Sequence, residues 1–475
     1  MRLRSVLLLS KMFWLFIVRR VLGRGLLRSR TAQLSALLLV LLAFAGFCLM
    51  SFVIIRQYLG GTGLLEPILQ VANASVGFWV LIVYTLIRVL FLKADELLRL
   101  SFSLPVTNKE RTLAFTLFES SIVLCLTVFI FGAFSLSTVL LEGPRYIPKV
   151  LAAIWFPAVT FYLVLSLGYF LLERLLLSVG LARLRGLLVP MVLALGLALA
   201  FPYSTELSNR IVESHFNGQV LAAPPLVFAL IQGEHGIWLA AALFVAVSAV
   251  LLLLIVGAAP RSYVAVRRFF KVLPASLAAT KFGAYLLVLV RSFETAVAVA
   301  FMFVYTVFAV LQNIVLPPFV LVLITFQGIY AYSNSEPLRR LATYPGTALR
   351  NYLCLVGSQA VLFLALAVPT VAAAQIQGIE FTTSLMIVGF CLGNILISTL
   401  IGIAFPPEKG NPFTVLMGVV LTVIVVMIVA LGLNIFNLSM VMNLLIFVVL
   451  NAVVVIYSIL GMKRLEMINR HEMAA

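Results

Sequence analysis

Acidic side chains are scarce in this chain. Of its 475 residues only 16 are Asp or Glu, and Asp95 is the lone aspartate. There are three histidines and four cysteines. Hydrolases and transferases draw on clustered carboxylates, histidines or activated thiols, and this composition does not supply them. His215 and His235 stand apart, with no H-E-x-x-H spacing, so no metal site is expected. Cys48, Cys125, Cys354 and Cys391 lie inside apolar runs and show neither metal-ligand spacing nor a disulfide framework. No G-x-x-x-x-G-K-[ST] loop is present, so the chain has no phosphate cradle of its own. The reading is a non-enzyme, with no catalytic residue, no metal and no bound cofactor.

Charge as a whole is also rare. Charged residues make up 10% against about 25% in soluble domains, while 63% of residues are hydrophobic. Mean hydropathy is +1.18. Such a chain cannot cover itself with polar surface in water, and must use lipid as part of its solvent. The expected class is an all-α integral membrane protein.

Apolar runs of about 18–24 residues fall near 33–55, 70–92, 113–136, 150–172, 183–202 and 237–259. A second set falls near 294–312, 315–333, 351–374, 382–404, 413–433 and 440–461. Each can cross a hydrocarbon core as a helix, giving about twelve spans. The net charge of +17 then has a natural place. With both termini cytoplasmic, roughly 27 of the 33 Lys and Arg fall on cytoplasmic segments. The positive-inside bias, rather than nucleic-acid binding, accounts for the excess.

The chain also repeats itself. Glu96 to Leu113 reads ELLRLSFSLPVTNKERTL, and Glu336 to Leu353 reads EPLRRLATYPGTALRNYL, offset by about 240 residues (336 − 96). Glu96/Glu336, Arg99/Arg339, Pro105/Pro345 and Thr107/Thr347 coincide without a gap. Each copy lies between apolar runs, after the second of its set. Six spans per half make the two repeats parallel, unlike the inverted repeats of many secondary transporters. The expected organisation is an interfacial helix at 1–30, a first six-span half at 31–260, a cytoplasmic connector with its own interfacial helix at 261–292, a second half at 293–462 and a cytoplasmic tail at 463–475. Residues 203–236 are expected to form the longest external segment, polar from Ser204 to His215.

Within the first copy, Asp95 and Arg99 are spaced for a short surface helix. Pro105 ends it, and Thr107-x-x-Glu110 is a capping box that starts the third span. The second copy has Arg350 where the box needs Glu or Gln, so its cap should be weaker. Glu119 is placed about two turns into the third span, with Arg88 as a possible partner. Its repeat mate is Gln359, and the two mark a candidate translocation path. The presence of Gln359 suggests that Glu119→Gln would leave transport largely intact.

Ser103-Leu104-Pro105-Val106-Thr107-Asn108-Lys109-Glu110 resembles the L-P-[VI]-[ST]-x-x-[ED] element of bacterial ABC-2 type transport permeases. Ala222-Ala223-Pro224-Pro225 is similar to a Pro-Pro element before the sixth span of their long fused members. The resemblance implies the membrane-spanning subunit of an ATP-binding cassette exporter in the bacterial inner membrane, with two six-span halves fused. It implies separate ATPase subunits, carrying ATP and magnesium, docked on the cytoplasmic face. The first coupling loop would use Glu96, Arg99, Leu104, Pro105, Val106, Thr107, Asn108, Lys109 and Glu110. The second would use Glu336, Arg339, Pro345 and Thr347. Apolar walls favour a small amphipathic, lipid-like or peptide cargo. The other reading is a secondary transporter with parallel six-span repeats driven by an ion gradient, which calls for several charged groups near the bilayer midplane.

Overall fold

The computed structural model describes residues 3–22, 30–58, 65–91, 101, 104–181, 184–219, 221–259, 273–311, 318–340, 347–406, 418, 422 and 440–474. Every element among them is helical. Nine helices among the described residues are long and apolar enough to cross a membrane. The protein is an all-α integral membrane protein. Its backbone polar groups are satisfied within helices, as hydrocarbon surroundings require. The chain divides into two compact units, Met1–Arg185 with Val192–Ala265, and Gly186–Met191 with Val266–Ala475.

The first unit comprises α1 (Leu3–Leu22), α2 (Arg30–Tyr58), α3 (Leu65–Phe91), α4 (Asn108–Glu142), α5 (Pro144–Ser178), α6 (Arg185–Phe216), α7 (Val227–His235) and α8 (Ile237–Ala258). Helix α4 is its hub, with α1, α2, α3, α5 and α8 packed on it. The α1 helix docks by one face: Val6, Leu9 and Phe13 are buried, and Phe13 meets the Phe115 and Phe118 rings at 5.9 and 5.7 Å. Trp14 Nε1 donates to Ser121 Oγ at 3.0 Å, so the indole is both packed and satisfied. Leu7, Leu8, Leu15 and Val18 face away, interleaved with exposed Arg4, Lys11 and Arg19.

Helix α5 is distorted for a reason written in its sequence. Pro157 has no N–H to give to the carbonyl one turn earlier, and residues Leu151–Trp155 widen to a π-helix there. Ala152, Ala153 and Ile154 pack tightly at this bulge. In helix α6 the polar stretch from Ser204 to His215 continues the helix as far as Phe216. Glu206 and Arg210 pair one turn apart along it, and Ser204 Oγ donates to Ala74 O at 3.2 Å.

The second unit holds α9 (Lys281–Arg291), α10 (Phe293–Leu311), short helices α11 (Val322–Thr325), α12 (Gly328–Asn334) and α13 (Glu336–Arg340), then α14 (Ala348–Ile376), α15 (Phe381–Ala404) and α16 (Met440–Ala474). The run expected as one span at 315–333 is instead segmented. A 3-10 turn at Pro318–Leu321 leads into α11, and Gln327, Ile329 and Tyr330 bond three residues back rather than four. The expected span at 413–433 lies almost wholly outside the described residues.

Close helix packing depends on glycine here. A Cβ on Gly402 would stand 2.4 Å from Ile329 O and 2.9 Å from Gly328 O. Helices α12 and α15 therefore touch backbone to backbone, as small residues permit in membranes. Around them Met302, Leu321, Ile324, Phe363, Cys391 and Ile395 form one buried cluster.

Candidate functional site

The first elbow begins at Leu104. Val106 N donates to Leu104 O at 2.8 Å, which turns the chain just before α4. Thr107 is extended, and Glu110 N donates to its Oγ1 at 3.3 Å. Thr107 N in turn donates to Glu110 Oε2 at 3.1 Å, completing the expected capping box. Arg111 ties the base of the helix to the preceding segment, donating from Nε to Ser101 O and from Nη1 to Asn108 Oδ1, both at 3.0 Å. Pro105, Thr107 and Lys109 are exposed, Leu104, Val106 and Asn108 half-buried, and Glu110 buried. Glu96 and Arg99 lie outside the described residues.

Beneath this elbow sits a buried ion pair. Arg88 Nη2 lies 2.7 Å from Glu119 Oε2, with side chains 6% and 2% exposed. Arg88 is in the last turn of α3, and Glu119 is nine residues past Glu110 (119 − 110), about 13 Å along α4. Aromatic groups complete the node. Arg88 Nε donates to Tyr84 Oη at 2.9 Å, and its guanidinium lies 3.9 Å from the Tyr169 ring centre. The Tyr162 hydroxyl donates toward Thr116 O and Glu119 Oε2, at 3.0 and 3.3 Å. Glu119 Oε1 has no hydrogen-bond partner among the described residues. A second pair, buried Glu173 with half-buried Arg185, joins α5 to the start of α6.

Mechanically, the pair staples the two arms of the elbow. One end of the 92–107 connection is α3 and the other is α4, and both are held by one charge contact. Separating them would strand two charges at low dielectric, which is far costlier than losing a surface pair.

The second unit carries the same layout with different chemistry. Thr347 caps α14, Arg350 N donating to its Oγ1 at 3.4 Å, with no reciprocal carboxylate. Pro345 lies outside the described residues. Glu336 and Arg339 are on α13, and Arg339 is turned inward. Its Nη1 donates to Tyr332 O at 2.8 Å and Ser335 Oγ at 2.7 Å, and its guanidinium lies 3.8 Å from the Tyr332 ring centre. Gln359 Nε2 donates to Thr399 Oγ1 and Leu355 O, both at 3.2 Å.

The repeat offset carries Arg88 onto Gly328 (88 + 240) and Glu119 onto Gln359 (119 + 240). A Cβ on Gly328 would stand 3.1 Å from Gln359 Oε1, so the equivalent positions meet in both units. The charge pair of one unit is a glycine–amide contact in the other. Glu119 has a buried cation to neutralise, whereas Gln359 has none at the matching position.

At the break between Thr325 and Gly328 the hydrogen-bonded side chains are neutral. Asn394 Nδ2 donates to Thr325 Oγ1 at 2.5 Å, Ser398 Oγ to Thr325 O at 2.8 Å, and Thr295 Oγ1 to Gln327 Oε1 at 3.1 Å. Gln327 Nε2 and Asn394 Oδ1 are buried without a partner among the described residues. Sequence reading missed Thr325, Gln327, Asn394 and Ser398, because polar residues in an apolar run do not reveal which neighbour they will meet. The tyrosines around Arg88 were missed for the same reason. The Arg88–Glu119 pairing itself was legible from the sequence, because both residues are rare charges at the ends of adjacent apolar runs.

No group of three or more potential metal ligands occurs among the described residues. Comparison with protein-family models, curated proteins and solved structures finds no match.

Proposed function

We propose that this chain is the transmembrane permease subunit of an ATP-binding cassette exporter of the ABC-2 type, with two parallel six-span halves, cytoplasmic termini and a place in a bacterial inner membrane. Separate ATPase subunits, holding ATP and magnesium, dock at 93–111 and 334–350 and supply the energy. The cargo is amphipathic, lipid-like or peptide. The observation that carries this reading is the duplicated Thr-capped elbow, each copy standing over a buried polar contact at the same repeat offset. A stapled elbow is a lever: a partner gripping Leu104–Glu110 displaces two spans at once.

The test is co-purification. A separate ATPase is expected to purify with the full chain, and replacing Leu104–Glu110 by a Gly/Ser linker is expected to release it. Retained ATPase in the linker variant would overturn the docking assignment.

A second reading, an ion-gradient-driven secondary transporter, is favoured by one feature, the segmented helix at 318–340 with its buried neutral polar groups. Against it, among the described residues Arg88 is already paired with Glu119, and Arg185 with Glu173. Uptake into vesicles holding this chain alone, on a proton or sodium gradient, would establish that reading and remove the first.

A further inference from the structure

Helix α1 has two faces of opposite kind. At about 100° per residue, Val6, Leu9 and Phe13 fall within one narrow arc, and these are its buried residues. The opposite arc, about 120° wide, carries Arg4, Lys11 and Arg19 together with Leu7, Leu8 and Leu15. All six are exposed, the three leucines by 64%, 59% and 45%. Water would leave those leucines wet, and hydrocarbon would leave three cations unpaired. The headgroup region takes both: leucines reach the acyl chains while Lys and Arg stems carry their charge outward.

The depth of α1 agrees with that placement. Its partner α4, with 35 residues, is about 52 Å long, about 22 Å more than a hydrocarbon core of about 30 Å. Shared between the two ends, the excess is about 11 Å at each. Phe13 and Trp14 are held by Phe115, Phe118 and Ser121. Phe115 and Ser121 stand seven and thirteen residues past Asn108 (115 − 108 and 121 − 108), about 10 and 20 Å along the helix. That level runs from the hydrocarbon boundary to about 9 Å beneath it, the depth to which interfacial helices sink.

The charge on this face has no counterpart in the first unit. Arg4, Lys11 and Arg19 make no ion pair or hydrogen bond among the described residues, and no acidic residue precedes Glu66 in the chain. By contrast Arg145 pairs with Glu142, and Lys149 with Glu66. A zwitterionic surface has no net charge to offer three unpaired cations, whereas an anionic one does.

We infer that the outward face of α1 is a binding surface for anionic phospholipid, its cations on the headgroup phosphates and its leucines among the upper acyl carbons. The inference rests on the membrane-spanning class alone and holds whichever energy source drives transport.

The experiment reconstitutes the full chain into phosphatidylcholine vesicles holding a trace of photoreactive lipid, either phosphatidylglycerol or phosphatidylcholine, with the diazirine high on the acyl chain in both. Peptide mapping should show 3–22 labelled at least about fivefold more by phosphatidylglycerol, the factor that a single Lys or Arg supplies at an anionic surface. The preference should collapse in about 1 M salt, where the Debye length falls to about 3 Å. Peptide 142–149, whose cations are paired, should show no such preference. The combined Arg4→Gln, Lys11→Gln and Arg19→Gln variant should lose the preference at 3–22, since the buried Phe13 face is untouched. Equal labelling by the two lipids, a preference that survives salt or the triple variant, or an equal preference at 142–149 would overturn the inference. So would a 3–22 segment reached by neither lipid, which would mean that protein covers the face. Should the triple variant fail to fold, the two lipids and the salt series on the parent protein decide alone.

Discussion

Arg88 and Glu119 stand 31 residues apart in sequence (119 − 88) and 2.7 Å apart in space, joining the last turn of α3 to the third turn of α4. Their repeat mates, Gly328 and Gln359, also meet, but without charge. The two repeat-equivalent contacts thus differ in chemistry: one is an ion pair, the other is uncharged. The first elbow is stapled by an ion pair. The second stands beside a helix that is segmented between Thr325 and Gly328.

Removing the carboxylate tests the staple. Glu119→Gln leaves the Arg88 guanidinium buried with no counter-charge, at a cost of about 3–5 kcal/mol. The unfolding midpoint in detergent should fall accordingly. Adding Arg88→Met to that variant should restore part of the loss, because an apolar replacement removes the stranded charge. A double variant less stable than Glu119→Gln would disprove the pairing argument.

Glycine contacts give a paired prediction. Gly402→Ala drives a methyl into Ile329 O and should lower stability by about 1–3 kcal/mol, since backbone cannot rotate aside. Gly389→Ala meets nothing within 4 Å and should change the midpoint little. Thermal unfolding of the two proteins side by side checks the contrast.

The two caps should differ as well. Thr107→Ala forfeits a reciprocal pair of bonds and should cost about 1 kcal/mol at the start of α4. Thr347→Ala forfeits one longer bond and should cost less. Amide hydrogen exchange in the first turns of α4 and α14 is the measurement; a larger effect at Thr347 would contradict the geometry.

Phe13→Ala should loosen α1 from α4. The ring is fully buried between Phe115 and Phe118, and buried Phe→Ala changes cost about 3–5 kcal/mol. Faster proteolysis within 3–22 is expected, together with a change in the fluorescence of Trp14. Unaltered protease resistance would show that α1 is held by the membrane rather than by α4.

Much of the protein can be read from residue order alone. Apolar runs of bilayer length dictate helices, because hydrocarbon offers backbone amides no other partner. Local signals of a few residues also held: the Thr107–Glu110 box and the lone Thr347 cap act within one turn, where sequence distance and spatial distance agree. The failures fall where they disagree. A polar residue inside an apolar run, such as Gln327 or Asn394, is legible as polar but not as paired, since its partner comes from a different helix. The segmented helix at 318–340 had the composition of a plain span, and only its packing against α15 through Gly328 and Gly402 marks it out. Sequence determined the all-helical, membrane-spanning class, because that rests on composition. Tertiary structure decided that Tyr84, Tyr162 and Tyr169 gather around the Arg88–Glu119 pair, that Gln359 turns to Thr399, and that Phe13 meets Phe115 and Phe118, because each depends on which helix faces which.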